Sequence, residues 1–106
     1  MIMDGNRYLE AGPLAWEESG TPGFLVKRLH EDAATGESTW LMKMEPGCTS
    51  PPHAHDTFEE VYVLEGAFHD GGRLLKSGDY VAREVGAVHS ADTQDGAVML
   101  VVYRPR

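Results

Sequence analysis

In the stretch Gly47-Cys48-Thr49-Ser50-Pro51-Pro52-His53-Ala54-His55-Asp56-Thr57-Phe58-Glu59-Glu60-Val61-Tyr62-Val63-Leu64-Glu65-Gly66, two histidines and a glutamate stand at even spacings between two glycines. His53 and His55 are two apart, so in an extended chain both imidazoles point to the same side. Glu59 lies four beyond His55, again an even step. If the segment stays extended, these three side chains project from one face of one sheet, and His89 arrives later on a strand that could lie opposite. Glu60 is turned the other way by the same alternation, which makes Glu59 the candidate donor. A lone His-x-His is more often solvated than ligating. The five positions Gly47, His53, His55, Glu59 and Gly66 taken together arise by accident at odds on the order of 2 × 10⁻⁴ in a chain of this composition. That lifts the pattern above background.

Three neutral imidazoles and a carboxylate suit one divalent transition ion per chain: Fe, Zn, Mn, Ni or Cu. The donor set does not choose among them. Four protein donors on an octahedral ion leave two adjacent positions for water, dioxygen or a chelating compound, as catalysis requires.

Outward from this stretch the chain reads as short strands. Residues 24–30 are β-rich and break at Glu31-Asp32-Ala33-Ala34-Thr35-Gly36; residues 38–45 return and place Trp40, Met42 and Met44 on one face. Pro51-Pro52 reads as coil, and the strand over residues 58–65 is expected to stop at Gly66. Two very short strands then flank Gly71-Gly72. Residues 80–83 and 97–103 complete the pattern. Twelve glycines and six prolines interrupt any candidate helix. The fold class is therefore all-β, a small antiparallel sandwich or barrel. Residues 1–23, with Gly12-Pro13 and Gly20-Thr21-Pro22-Gly23, are expected to form an N-terminal arm or edge strand, Trp16 packing on the barrel or on a partner subunit. Residues 24–106 form the single barrel domain.

Trp40, Met42, Val61, Val63 and Met99 are candidates for an apolar pocket around the ion, with room for a small ligand or substrate. Tyr80 and Arg83 lie on opposite faces of their strand, so only one looks inward. Tyr62 points away from the metal. His69 reads as a turn-adjacent surface histidine or an outer support of the site, His30 as unremarkable, and Cys48 as a small hydrophobe.

The bulk numbers exclude several classes. The 106 residues, 11.6 kDa, make one domain. A formal charge of −8 is the wrong sign for holding a phosphate backbone, so no nucleic acid is expected. No stretch approaches the ~20 apolar residues of a membrane span, and none resembles a signal peptide. A single cysteine argues against a disulfide scaffold, and the expected location is the cytoplasm.

Gly47-x5-His53-x-His55-x3-Glu59-x6-Gly66 resembles the first motif of the cupin superfamily. Gly78-x5-Glu84-x-Gly86-x2-His89-x3-Thr93 resembles the second, with Glu84 where cupins usually carry Pro and Thr93 where they usually carry Asn. The link from Glu65 to Gly72 and on through Gly78-Asp79-Tyr80 is most similar to the ChrR-type cupin domain, the metal-binding portion of a zinc anti-sigma factor. The opening, with Trp16, Pro22-Gly23 and Lys27, is similar to acetylacetone-cleaving cupin dioxygenases, which use histidines only, so that Glu59 is a departure from them. The resemblance implies a jelly-roll barrel, His53, His55, Glu59 and His89 as metal ligands, and a homodimer. The function expected from it is a metal-dependent enzyme, a dioxygenase acting on a small enolisable or aromatic compound. An isomerase or lyase, or a non-catalytic metal-binding or sensing module of the ChrR type, are the alternatives. Against a direct anti-sigma role, the sequence shows no helical segment to bind a sigma factor.

Overall fold

Alternating apolar and polar side chains, punctuated by glycine turns, produce eleven strands in the structure, a computed structural model that describes residues 2–106. They are β1 (Ile2–Met3), β2 (Asn6–Arg7), β3 (Glu17–Glu18), β4 (Phe24–Asp32), β5 (Glu37–Met44), β6 (Thr49–His53), β7 (Thr57–Asp70), β8 (Arg73–Lys76), β9 (Tyr80–Arg83), β10 (His89–Asp92) and β11 (Ala97–Pro105). No described residue is helical. Nine strands form one curled antiparallel sheet in the order β3-β4-β5-β11-β7-β10-β6, with β8 and β9 also paired to β7. The result is a curled half-barrel.

β7 organises it. Its first half pairs with β11 and β9, and its last residues pair with β8 and β10, so one strand carries the sheet round from one wall to the other. The bend falls at Gly66, just after a bulge against Val98 and Met99. Gly66 has φ of +72°, and a Cβ there would lie 2.2 Å from the Gly96 carbonyl oxygen. A strand expected to stop at Gly66 thus bends there and continues to Asp70. β6 also departs from expectation, since it contains Pro51 and Pro52. It pairs only with β10, and an edge strand tolerates prolines because the missing N–H groups need not enter a ladder.

The concave face carries the core. Met42 and Val63 flank Met99 in register, and Trp40 and Val61 flank Val101. Val26, Met44, Val63 and Val101 are fully buried, each contributing roughly 1.5–3 kcal/mol of apolar burial.

In the arm, β1 and β2 pair with each other, and β3 adds an edge to β4. Met1, the first residue of the expected arm, lies outside the described residues. Trp16 is half-buried on the outer side of β4 and β5, with Lys27 Nζ 4.9 Å and Lys43 Nζ 5.6 Å from its ring. Lys27 also donates to the Ala11 carbonyl at 3.0 Å, fastening the arm to the sheet.

Candidate metal centre

His53 ends β6 and pairs directly with His89 at the start of β10. Their rings are 4.2 Å apart between centroids. His55 lies beyond the strand, where its carbonyl accepts the Gly86 N–H at 3.0 Å. Its ring comes within 5.1 Å of His53 and 5.5 Å of His89. One nitrogen from each of the three rings falls in a set whose members all lie within 4.8 Å of one another. The chain therefore brings the three histidines together differently from the extended-segment expectation. Residues 54–56 leave the strand, His89 stands beside His53, and Glu59 belongs to the other wall.

The ring nitrogens fit an ion. His53 Nδ1 lies 2.9 Å from the Pro51 carbonyl oxygen, which only accepts, so Nδ1 carries the proton and Nε2 keeps its lone pair. Both ring nitrogens of His89 are buried without a hydrogen-bond partner. Burial first, then the Arg83 charge, push its pKa down to about 4 against the pull of Glu59 and Asp70. A neutral imidazole with unused nitrogens is what a divalent ion binds.

Glu59 stands beside this triad and outside its closest set. Its Oε1 accepts from Arg83 Nε at 2.7 Å and lies 3.8 Å from His89 Nε2; its Oε2 lies 3.7 Å from His55 Nε2. Cross-strand register explains this, because Glu59 is flanked by Arg83 on β9 and Tyr103 on β11 in one inward row. Arg83 reaches further, its Nη1 lying 2.8 Å from Asp70 Oδ2. Burial works against the guanidinium charge, but the two carboxylates outweigh it and hold its pKa above the usual range. Tyr103 is also pushed up, by burial first and then by the Glu59 charge and a hydrogen bond to that carboxylate. The sequence pointed to Arg83 only as one of two alternatives. It gave no sign of Asp70 or Tyr103, whose roles depend on the bend in β7 and the register of β11.

The neighbours sort themselves by the same alternation. Glu60 faces outward, accepting from the Tyr80 hydroxyl at 2.7 Å and pairing with Arg104. Tyr80 and Tyr62 are exposed while Arg83 is buried. His69 faces Asp92 at 3.5 Å, and His30 bonds Arg7; neither belongs to the triad. Half-buried Cys48 has its thiol pKa raised by burial, which lowers its reactivity. Thr93 is buried and joins turns: it donates to the Ala67 carbonyl at 2.7 Å and accepts the Gly96 N–H at 3.0 Å.

The triad, Glu59, Arg83 and Tyr103 line the polar end of a cavity of about 180 Å³. Trp40, Met42, Val61 and Met99 supply apolar wall, together with Phe24, Met44, Phe68 and Val101. Val63, expected in that wall, is fully buried and outside the lining. Trp40 meets Tyr103 edge-on at 5.4 Å, and its Nε1 has no partner.

The family model of the ChrR cupin-like domain matches residues 5–105, almost the entire chain. The chain belongs to this family. The match includes most of the arm. Among solved structures, this ChrR-type cupin is similar to KdgF from Halomonas sp., with 22% identity, a TM-score of 0.80 and coverage of 94% of this chain and 95% of that one. It is similar to the acetylacetone dioxygenase of Acinetobacter johnsonii at 14% identity, with a TM-score of 0.82 and coverage of 98% and 77%. The anti-sigma factor ChrR, in its complex with SigE from Rhodobacter sphaeroides, matches at 21% identity and a TM-score of 0.74, covering 89% of this chain and 51% of that one. At such identities the likeness is one of fold. No curated protein matches the sequence.

Proposed function

We propose that this ChrR-type cupin is a metal-dependent enzyme. His53, His55 and His89, with Glu59 as fourth donor, hold one divalent transition ion, and the reaction is dioxygenase chemistry on a small enolisable or aromatic compound. The observation that carries this reading is the convergence of three imidazoles in a cavity whose wall is otherwise mostly apolar. Such an ion supplies Lewis acidity and a template for a chelating oxygen compound.

The chain's own residues do the rest. Glu59, Asp70 and Arg83 sum to one negative charge, so a divalent ion leaves the site at +1, matched to a monoanionic enolate or phenolate. Arg83 fixes Glu59 through Oε1 and leaves Oε2 turned toward His55. Tyr103 keeps its proton and donates a hydrogen bond to the Glu59 carboxylate, so that it helps Arg83 hold this group in the lining. The largely apolar wall limits access of bulk water, and a volume of roughly six waters supports a small substrate. A homodimer in the cytoplasm is the assembly and location in keeping with this reading, and the unpaired Cys48 suits a reducing compartment.

Metal analysis after supplementation tests the site. The wild type is expected to carry about one ion per chain and His53→Ala to carry little; less than about a tenth of an equivalent in the wild type overturns the proposal. Oxygen uptake with small β-diketones and catechols tests the reaction. Turnover that persists unchanged without oxygen points instead to an isomerase or lyase. The family match favours a second reading, a non-catalytic metal-sensing module. A cobalt-substituted protein with a four-coordinate spectrum and no exchangeable water would select the sensor, and an open coordination sphere the enzyme.

A further inference from the structure

Two buried polar atoms that lack partners face each other next to the triad. His89 Nδ1 and Asp70 Oδ1 are both without a hydrogen bond, and they are 3.8 Å apart. Asp70 is held from its other side, since Oδ2 accepts from Arg83 Nη1 at 2.8 Å. The same guanidinium holds Glu59, so β9 fastens together two carboxylates that sit on either side of the bend in β7. The His89 ring lies between them, with Nδ1 toward Asp70 and Nε2 toward Glu59 at 3.8 Å. Both carboxyl groups and the ring are largely withdrawn from solvent, with side-chain exposures of 5% for Glu59 and 11% for Asp70 and His89.

We propose that Asp70 is the positioning residue of His89: its Oδ1 accepts the proton on His89 Nδ1 and so directs the Nε2 lone pair into the triad, with Arg83 fixing Asp70 in place. This rests on the metal-binding reading. Hydrogen bonds of this kind run at about 2.7–3.2 Å, so a movement of under ~1 Å at the ring closes the gap. Asp70 is suited to the task because an ionised carboxylate only accepts, which leaves one tautomer of a neutral imidazole compatible with it. Support of this sort for a ligating histidine is typically worth about 10- to 100-fold in metal affinity. Asp70 reaches His89 through pairing, since it lies opposite Ala91, two residues along β10 from His89. His69, its neighbour, is turned outward to Asp92.

Asp70→Asn separates positioning from packing. Arg83 still requires an oxygen at the Oδ2 place, so the new amide presents its NH₂ to His89 Nδ1, and an NH₂ selects the opposite tautomer, with the proton on Nε2. The experiment uses full-length protein with ¹⁵N-labelled histidine, metal-free for the tautomer measurement and titrated with Zn²⁺ against a competing chelator for affinity. The expected result is an Nδ1–H tautomer for His89 in the wild type, an Nε2–H tautomer in Asp70→Asn, and Zn²⁺ affinity 10- to 100-fold weaker in that near-isosteric variant. Asp70→Ala, which imposes neither tautomer, is expected to fall between the two. A purely structural Asp70 would make Asn the milder change and leave the tautomer alone. An Nε2–H tautomer in the wild type overturns the proposal, as does Asp70→Asn with wild-type tautomer and affinity. If Asp70→Ala does not fold, the wild type and Asp70→Asn decide. If the wild type takes up no Zn²⁺, the metal-binding reading fails by itself, and the tautomers of metal-free wild type and Asp70→Asn still decide for or against Asp70.

Discussion

Tyr103 brings a phenol into a row that already holds a carboxylate and a guanidinium, and its ionisation would add a second negative charge beside Glu59. Burial first and the Glu59 charge second therefore keep its pKa above the ordinary 10. The unfolded chain has no such environment, so above pH 10 the unfolded state binds fewer protons than the folded one, and stability falls as pH rises. Below pH 10 the contribution is complete; it is lost as pH climbs toward the folded-state value. Urea denaturation at pH 9 and pH 11 should show this fall in the wild type and a flatter response in Tyr103→Phe. The variant should also lose about 1 kcal/mol at neutral pH for the missing hydrogen bond. Equal pH responses in the two proteins would mean that Tyr103 titrates as an exposed phenol does.

At the scale of the strand, the bend in β7 brings the site together. Without it, Asp70 would continue straight on, far from the Glu59 whose guanidinium partner it shares. Gly66→Ala should thus cost more than a positive-φ strain alone, since the new methyl also meets the Gly96 carbonyl. A control is available in Gly78, whose φ is +93° with open space around its missing Cβ. Gly78→Ala should cost about 1–2 kcal/mol and Gly66→Ala at least about 3, read from urea midpoints. Similar losses at both positions would show that the close approach at Gly66 relaxes freely. This bend also marks the limit of what the sequence discloses. His53, His55 and His89 were legible because imidazoles between glycines at fixed spacing are rare, β5 because Trp40, Met42 and Met44 alternate, and β4 and β11 because β-rich runs stand between turn residues. β6 was hidden by Pro51-Pro52, which forbid a central strand but not an edge. Asp70, Arg83 and Tyr103 carry no local signal, since what unites them is the register of β9 and β11 on a strand that turns midway.

For the whole molecule, charge and exposed apolar surface pull in opposite directions. Leu41, Leu100, Tyr62 and Tyr80 lie side by side in register on the convex face, Tyr62 and Tyr80 being about half exposed, and Leu64 is exposed on the same strand as Tyr62. A face of this composition favours association with a second copy, as the expected homodimer requires. Each copy, however, brings a formal charge of −8, and Glu60 on that face is balanced by Arg104. Repulsion between two such chains acts over the screening length, about 30 Å at 0.01 M salt but near 8 Å at 0.15 M. Apolar contact hardly weakens over that range. Dimerisation is therefore expected to strengthen as salt rises from 0.01 M to 0.15 M and beyond, the opposite of an assembly held by ion pairs. Light scattering on the eluting protein should give a mass that climbs from near 11.6 kDa toward twice that value with added salt. Tyr62→Lys, which puts a charge in the centre of the apolar row, should hold the mass near that of one chain at every salt concentration. A wild-type dimer that dissociates as salt is raised would place the interface elsewhere, on charged surface rather than on this face.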